Sequence, residues 1–258
     1  VRWLGWLLLW SFGLGAWAQR LAVIGDWGAE SPHRPLVAEA MRTQHQQAPL
    51  EALLTVGDNF YPAGEPILRY IADLPPVPIY PAFGNHDGPA LGKQLELFQV
   101  SRPYYTVRLG NLEVFVVYSE DFSQAQRRWL EAALKASQAP WKIVALHRPL
   151  YSSGLHGGAR SLRQALEPLL IRQRVALVLA GHEHSYERLE AHGIVHIVTG
   201  GGGAWLRGFL RAQPQSQVRL VSPNYLILEA TQERLRITAY NEKNVVIDRV
   251  ELKKPSGE

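Results

Sequence analysis

Five short apolar runs constrain this chain most, because each stops at a glycine or histidine and leads straight into a side chain able to bind a metal or carry a proton. Arg20 to Ile24 runs into Gly25-Asp26, and Leu53 to Val56 into Gly57-Asp58. Val77 to Phe83 runs into Gly84-Asn85, Ile143 to Leu146 into His147, and Ala176 to Ala180 into Gly181-His182. Runs of this length suit buried strands, and the glycines that end them mark turns. Pro35 to Gln47, Gln124 to Ser137 and Ala159 to Arg172 have helical composition and apolar spacing, so strands and helices alternate. In such sheets ligands gather beyond the carboxyl ends of the strands, where these polar residues fall.

Tyr104 to Leu109, Leu112 to Tyr118, Ile194 to Thr199, Tyr225 to Ala230, Arg234 to Tyr240 and Val245 to Leu252 alternate apolar and polar residues more strictly. They read as antiparallel additions, some separated by turns such as Gly110-Asn111. The expected fold class is α/β, a four-layer α-β-β-α sandwich of two mixed β-sheets flanked by helices. At 258 residues the chain is near the upper limit of what one core supports, so a single catalytic domain over 19–258 is expected. Lys253 to Glu258 are expected to fray.

Residues 1–18 stand apart. Arg2 precedes a nearly continuous apolar stretch from Trp3 to Phe12, and small residues follow up to Ala16-Trp17-Ala18. This is the pattern of a signal peptide with cleavage after Ala18, and the stretch is short for a membrane span of about 20 residues. An exported protein, periplasmic or secreted, is expected, with no membrane span in its mature form. The chain has no cysteine, so its stability must come from the core and bound metal. The net charge of +4 comes from scattered Lys and Arg without a basic run. That excludes specific nucleic-acid binding and fits a mild attraction for anionic substrates.

In chain order the candidate ligands are Asp26, Asp58, Tyr61, Asn85, His147, His182 and His184. Oxygen donors mixed with neutral imidazoles suit iron, manganese or zinc. Seven ligands are too many for one ion. A carboxylate has two oxygens, so Asp58 can bridge two ions about 3.5 to 4 Å apart and leave positions open for water. An extended His182-x-His184 segment would point both imidazoles to one side.

The motifs GDWG, GDNFY, GNHD, ALHRP and GHEHSYER, in this order, resemble those of the calcineurin-like metallophosphoesterases. Within them the chain resembles the purple acid phosphatases, especially the small tartrate-resistant type, over nearly all of 19–258. The wider superfamily opens with Asp-x-His, whereas Gly28 stands here at the third position, so another group must fill that coordination site. Tyr61 matches the tyrosine that favours ferric iron in purple acid phosphatases. The resemblance implies Fe(III) at Asp26, Asp58, Tyr61 and His184. It implies a divalent ion (Fe, Zn or Mn) at Asp58, Asn85, His147 and His182. It also places His86 and His156 as catalytic residues on the substrate side, with His86 as general acid, since imidazole readily carries a proton at mildly acidic pH. The implied activity is acid phosphatase action on small phosphate monoesters by an ion-activated water. The alternative is a phosphodiesterase or nucleotidase using the same two-metal site. Neither the cysteine-bearing insertion of animal relatives nor the N-terminal β domain of plant-type relatives is matched, and a monomer is expected.

Asp87 either orients His86 or caps the next turn, and Glu183 points away from the paired histidines as a solvated or supporting group. Gly200 to Gly203 form a flexible turn near the site. Tyr186, Glu187 and Arg188 provide packing or pocket wall. His33, His45, His192 and His196 are given no role.

Overall fold

A computed structural model describes residues 19–254, so the expected signal peptide lies outside the described residues. The elements run β1 (Gln19–Ile24), α1 (His33–Gln47), β2 (Ala52–Val56), α2 (Leu68–Ala72), β3 (Ile79–Ala82), α3 (Leu91–Leu97), β4 (Tyr105–Leu109) and β5 (Leu112–Val116). They continue with α4 (Gln124–Ala136), β6 (Trp141–Ala145), α5 (Arg160–Arg172), β7 (Leu177–Ala180), β8 (Tyr186–Ala191), β9 (Ile194–Thr199), β10 (Ser216–Leu220), β11 (Tyr225–Ala230), β12 (Arg234–Tyr240) and β13 (Val246–Lys253).

One sheet has the order β13-β12-β11-β1-β2-β3 and the other β10-β8-β9-β7-β6-β5-β4. Each has a parallel part, β1-β2-β3 in the first and β9-β7-β6-β5 in the second, extended by antiparallel strands. The expected mixed four-layer sandwich is therefore the observed one. Strand alternation divides the core into three interfaces. Leu21, Val23, Leu54 and Val56 face Val114, Val116, Ile143 and Leu179 between the sheets. Ala22, Ile24 and Leu53 point the other way, onto Val37 and Met41 of α1. Val144 and Val178 lie against Leu130 and Leu134 of α4 and Leu166 and Leu170 of α5. No helix among the described residues is long and apolar enough to cross a membrane.

Lys253, expected to fray, instead pairs with Arg234 at the end of β13. Tyr186 and Arg188 open strand β8 and both bond Asp248 Oδ2, at 2.7 and 2.6 Å, so they hold β13 and form no pocket wall. His196, in β9, is a core residue whose ring lies 5.1 Å from that of Tyr151. Burial, reinforced by His192 and Arg163, pushes its imidazole down to about 4.

The unfolded chain therefore binds a proton at His196 that the folded chain refuses. Stability is full above the ordinary histidine value near 6.5 and is lost as pH falls from there to about 4, on the order of 3 kcal/mol. Urea unfolding of wild type and His196→Leu at pH 7.5 and 4.5 checks this. The variant should lose less stability between the two pH values, and an equal loss would exclude His196 as the source.

Candidate metal centre

Asp26, Asp58 and His182 each follow a strand of the parallel parts, β1, β2 and β7, and each takes a left-handed backbone, with φ of 53°, 52° and 72°. This conformation turns each chain sharply at the sheet edge and is uncommon for any residue but glycine. The His182 value overturns the expected extended His182-x-His184 segment. The stretch bends instead, with Glu183 N–H bonded to Gly181 O at 2.9 Å and Ser185 N–H to Glu183 O at 2.7 Å. Both imidazoles nevertheless reach the site. Gly84 permits the convergence, since a Cβ there would lie 2.2 Å from Asp58 Oδ1 and 2.7 Å from the His147 ring.

All seven candidate ligands gather into two nests that share one carboxylate. In the first, the Tyr61 hydroxyl lies 2.9 Å from Asp58 Oδ2, 3.1 Å from Asp26 Oδ1 and 3.2 Å from His184 Nε2. In the second, His147 Nε2 lies 3.4 Å from Asp58 Oδ1, 3.2 Å from Asn85 Oδ1 and 3.2 Å from His182 Nδ1. Asp58 thus gives one oxygen to each nest. Donors about 2.1 Å from a common ion and at right angles to one another lie about 3 Å apart, which is the spacing seen in both nests.

The supporting bonds point lone pairs inward. His147 Nδ1–H donates to Val56 O at 3.0 Å and His184 Nδ1–H to Trp205 O at 2.8 Å, which leaves Nε2 of each facing its nest. Asp26 Oδ2 accepts the His182 backbone N–H at 2.8 Å, and Asp58 Oδ1 that of His86 at 2.9 Å.

Electrostatics also favours cations here. Burial alone would raise Asp58, yet His147 and the His86 N–H outweigh it and hold the carboxyl well below the usual range. Burial together with the Asp26 and Asp58 carboxylates pushes the Tyr61 hydroxyl far above its ordinary value. A phenolate at Tyr61 therefore needs a strongly charged partner. Of the two touching imidazoles, burial opposes charge on both, but Asp58 raises His147, whereas His147 and Arg148 further lower His182. The donor set and its buried carboxylates fit two cations, and Asp26, Asp58 and His147, drawn from both nests, bring ligand atoms within 4.8 Å of one another.

Gly28, the departure from Asp-x-His, also has a structural basis. A Cβ there would stand 1.7 Å from Asn59 O, so only glycine lets the Asp58 loop pack against the Asp26 loop. Tyr61 N–H then bonds Gly28 O at 3.0 Å, and its hydroxyl reaches Asp26.

His86 and His156 sit outside the nests. The His86 ring lies 4.3 Å from that of Tyr61, with Nδ1 bonded to Pro62 O at 2.7 Å. The His156 ring lies 4.6 Å from that of His182. Asp87 neither orients His86 nor caps a turn through its side chain. It is fully buried and accepts from the N–H groups of Asn59 and Gly84 and from Gln94 Nε2, at 2.8, 2.7 and 2.9 Å, tying the Asp58 loop to the Asn85 loop.

Glu183 is buried, not solvated, and accepts the backbone N–H groups of Leu155, His156 and Gly157 at 3.0, 2.6 and 2.9 Å. Gly201 to Gly203 are likewise buried, and the Gly202 and Ala204 N–H groups are bonded to Gly25 O and Asp26 O rather than open to a phosphate. The roles of Glu183, Asn59, Gln94, Arg148 and Arg207 carry no local sequence signal, because each depends on at least one partner more than 20 residues away.

Removing the Glu183 carboxylate leaves three amides without an acceptor. In Glu183→Ala the amides of Leu155, His156 and Gly157 should exchange with deuterium about tenfold faster or more, while those of β6 and β7 stay protected. Unchanged exchange at the three amides would refute the clamp.

The profile of the Metallophos family, calcineurin-like phosphoesterases, matches residues 19–186. Among curated proteins the chain is similar to Purple acid phosphatase 7 of Arabidopsis thaliana, 26% identical over 283 residues that span 91% of this chain and 86% of that protein. It is also similar to mouse (Mus musculus) Tartrate-resistant acid phosphatase type 5, 27% identical over 247 residues, 75% of each chain. Among solved structures, a purple acid phosphatase from yellow lupin (Lupinus luteus) seeds matches with a TM-score of 0.79 at 20% identity, covering 91% of this chain and 53% of that one. GAP50, described as the anchor in the inner membrane complex of Plasmodium, matches with a TM-score of 0.81 at 19% identity, covering 92% and 89%. These two likenesses speak to the fold. The matched segment 19–186 contains both nests together with His86 and His156, and the chain belongs to the calcineurin-like metallophosphoesterase family.

Proposed function

We propose that the chain is an acid phosphatase that hydrolyses phosphate monoesters. Asp26, Asp58, Tyr61 and His184 would hold ferric iron, and Asp58, Asn85, His147 and His182 a divalent iron, zinc or manganese. The observation that carries this reading is Asp58, whose two oxygens face different nests, 2.9 Å from Tyr61 and 3.4 Å from His147. When bound, the ions supply Lewis acidity to the phosphoryl oxygens and a water acidic enough to attack phosphorus.

The side chains around the nests supply positioning and protons. His86 is fixed through Nδ1 by Pro62 O, which leaves Nε2 to protonate the departing ester oxygen in this reading. His156, held at its backbone by Glu183, presents its ring beside His182 and steadies the phosphoryl oxygens. Tyr61 shields and tunes the first nest and attacks nothing. The chain has no cysteine and no GxSxG turn, in keeping with direct attack by water.

Metal-loaded enzyme should hydrolyse phenyl phosphate faster than a bis-aryl phosphate diester, and Asp58→Asn should lower the monoester rate by about 10³-fold with loss of bound metal. Faster diester cleavage, or a fully loaded protein that turns over no ester, would sink the monoesterase reading. His86→Gln should slow an alkyl phosphate by about 10²-fold and an aryl phosphate much less, since only the poor leaving group needs the proton. Equal losses on the two would remove His86 as proton donor.

A further inference from the structure

Two arginines touch the imidazoles around the second nest, and their surroundings differ. Arg148 Nη1 lies 3.2 Å from His182 Nε2, but Arg148 Nε lies 2.8 and 3.0 Å from the two oxygens of Glu120, which answers its charge. Arg207 Nη1 lies 3.3 Å from His156 Nε2, and among the described residues no carboxylate pairs with it. A guanidinium has five N–H donors and no acceptor, and its fork suits phosphate oxygens.

Arg207 is half-buried and held in place from two sides. Its backbone N–H donates to His184 O at 3.0 Å, and two residues earlier Trp205 O receives His184 Nδ1–H. Beyond it, Phe209 bridges to Gly154, and the N–H groups of Leu210 and Arg211 bond Ser153 O at 3.1 and 3.3 Å. The loop between β9 and β10 is thus stitched both to the ligand segment and to the loop that bears His156. Outward from the second nest the order is His182, His156, Arg207. A phosphoryl group over the nests meets His156 first. Arg207 stands one imidazole further out.

We infer that Arg207, together with His156, forms a subsite for a second phosphate carried by the leaving group, so that phosphoanhydrides or bisphosphates are preferred over esters of neutral alcohols. The inference rests on the phosphatase reading above. In each turnover the water oxygen bonds to phosphorus and loses its protons. The bond from phosphorus to the bridging oxygen breaks, and that oxygen keeps the electron pair, takes up a proton as its charge requires and leaves with its own phosphate held by Arg207.

The test compares pyrophosphate, ethylene glycol bisphosphate and phenyl phosphate as substrates of metal-loaded wild type, Arg207→Gln and Arg207→Lys, with melting curves to confirm folding. In Arg207→Gln the kcat/KM ratio of at least one doubly phosphorylated substrate to phenyl phosphate should fall about tenfold or more, with Arg207→Lys between. The substrate whose ratio falls further tells whether an anhydride or an ester is served. By calorimetry, wild type should also prefer methylenebisphosphonate to methylphosphonate, and Arg207→Gln should lose about tenfold of that preference. Ratios that stay constant, or rates that fall in step on all three substrates, overturn the subsite. A wild-type enzyme that hydrolyses none of them sinks the phosphatase reading instead, while the phosphonate preference still reads the subsite.

Discussion

Asp58 is the point on which the site depends, because its ionised carboxylate, almost wholly buried, is the only side chain shared by both nests. Such a charge is costly in a protein interior unless hydrogen bonds and opposite charge answer it. The Tyr61 hydroxyl, the His86 N–H and His147 answer it in part. They do so only because the loops after β2, β3 and β6 are brought to one edge. Three packed interfaces hold those strands rigid and offset the left-handed backbones at Asp26, Asp58 and His182, each worth about 1 to 3 kcal/mol of strain.

The first nest is closed by a tyrosine where the wider superfamily has a histidine, and the exchange involves more than one residue. Gly28 removes the Cβ that would collide with Asn59 O, and Asn59 is held by the Trp27 indole at 3.0 Å and by the Asp87 carboxylate. Backbone packing therefore places the Tyr61 hydroxyl, and packing rather than ligand choice alone fixes which donor completes the first nest. Around the second nest Arg148 and His156 flank the His182 imidazole, and Arg207 stands against His156.

Much of this was legible in the sequence, for particular reasons. Buried parallel strands leave unbroken apolar runs, so β1, β2, β6 and β7 were readable, and each announced a ligand at its end. Strand β10 was not, because Ser216, Gln217 and Arg219 give it little apolar signal. Tyr186, Glu187 and Arg188 read as packing or pocket wall rather than as the start of strand β8, since Tyr186-Glu187-Arg188-Leu189-Glu190 lacks strand composition. The five-residue helix α2 is too short to show a period. Alternation placed His182 and His184 on one side for the wrong reason, because a left-handed residue breaks the period on which alternation rests. The buried duties of Glu183 and Asp87 arise from contacts between distant segments, which no local pattern encodes.

Two ions in the nests, one of them bound by Tyr61 as phenolate, are tested most directly by the visible absorption spectrum of aerobically purified protein, recorded with its metal content and beside Tyr61→Phe. A broad purple band lost in the variant, with about two ions per chain, is the predicted result. A colourless protein with both ions bound and full activity would contradict the iron–tyrosinate assignment.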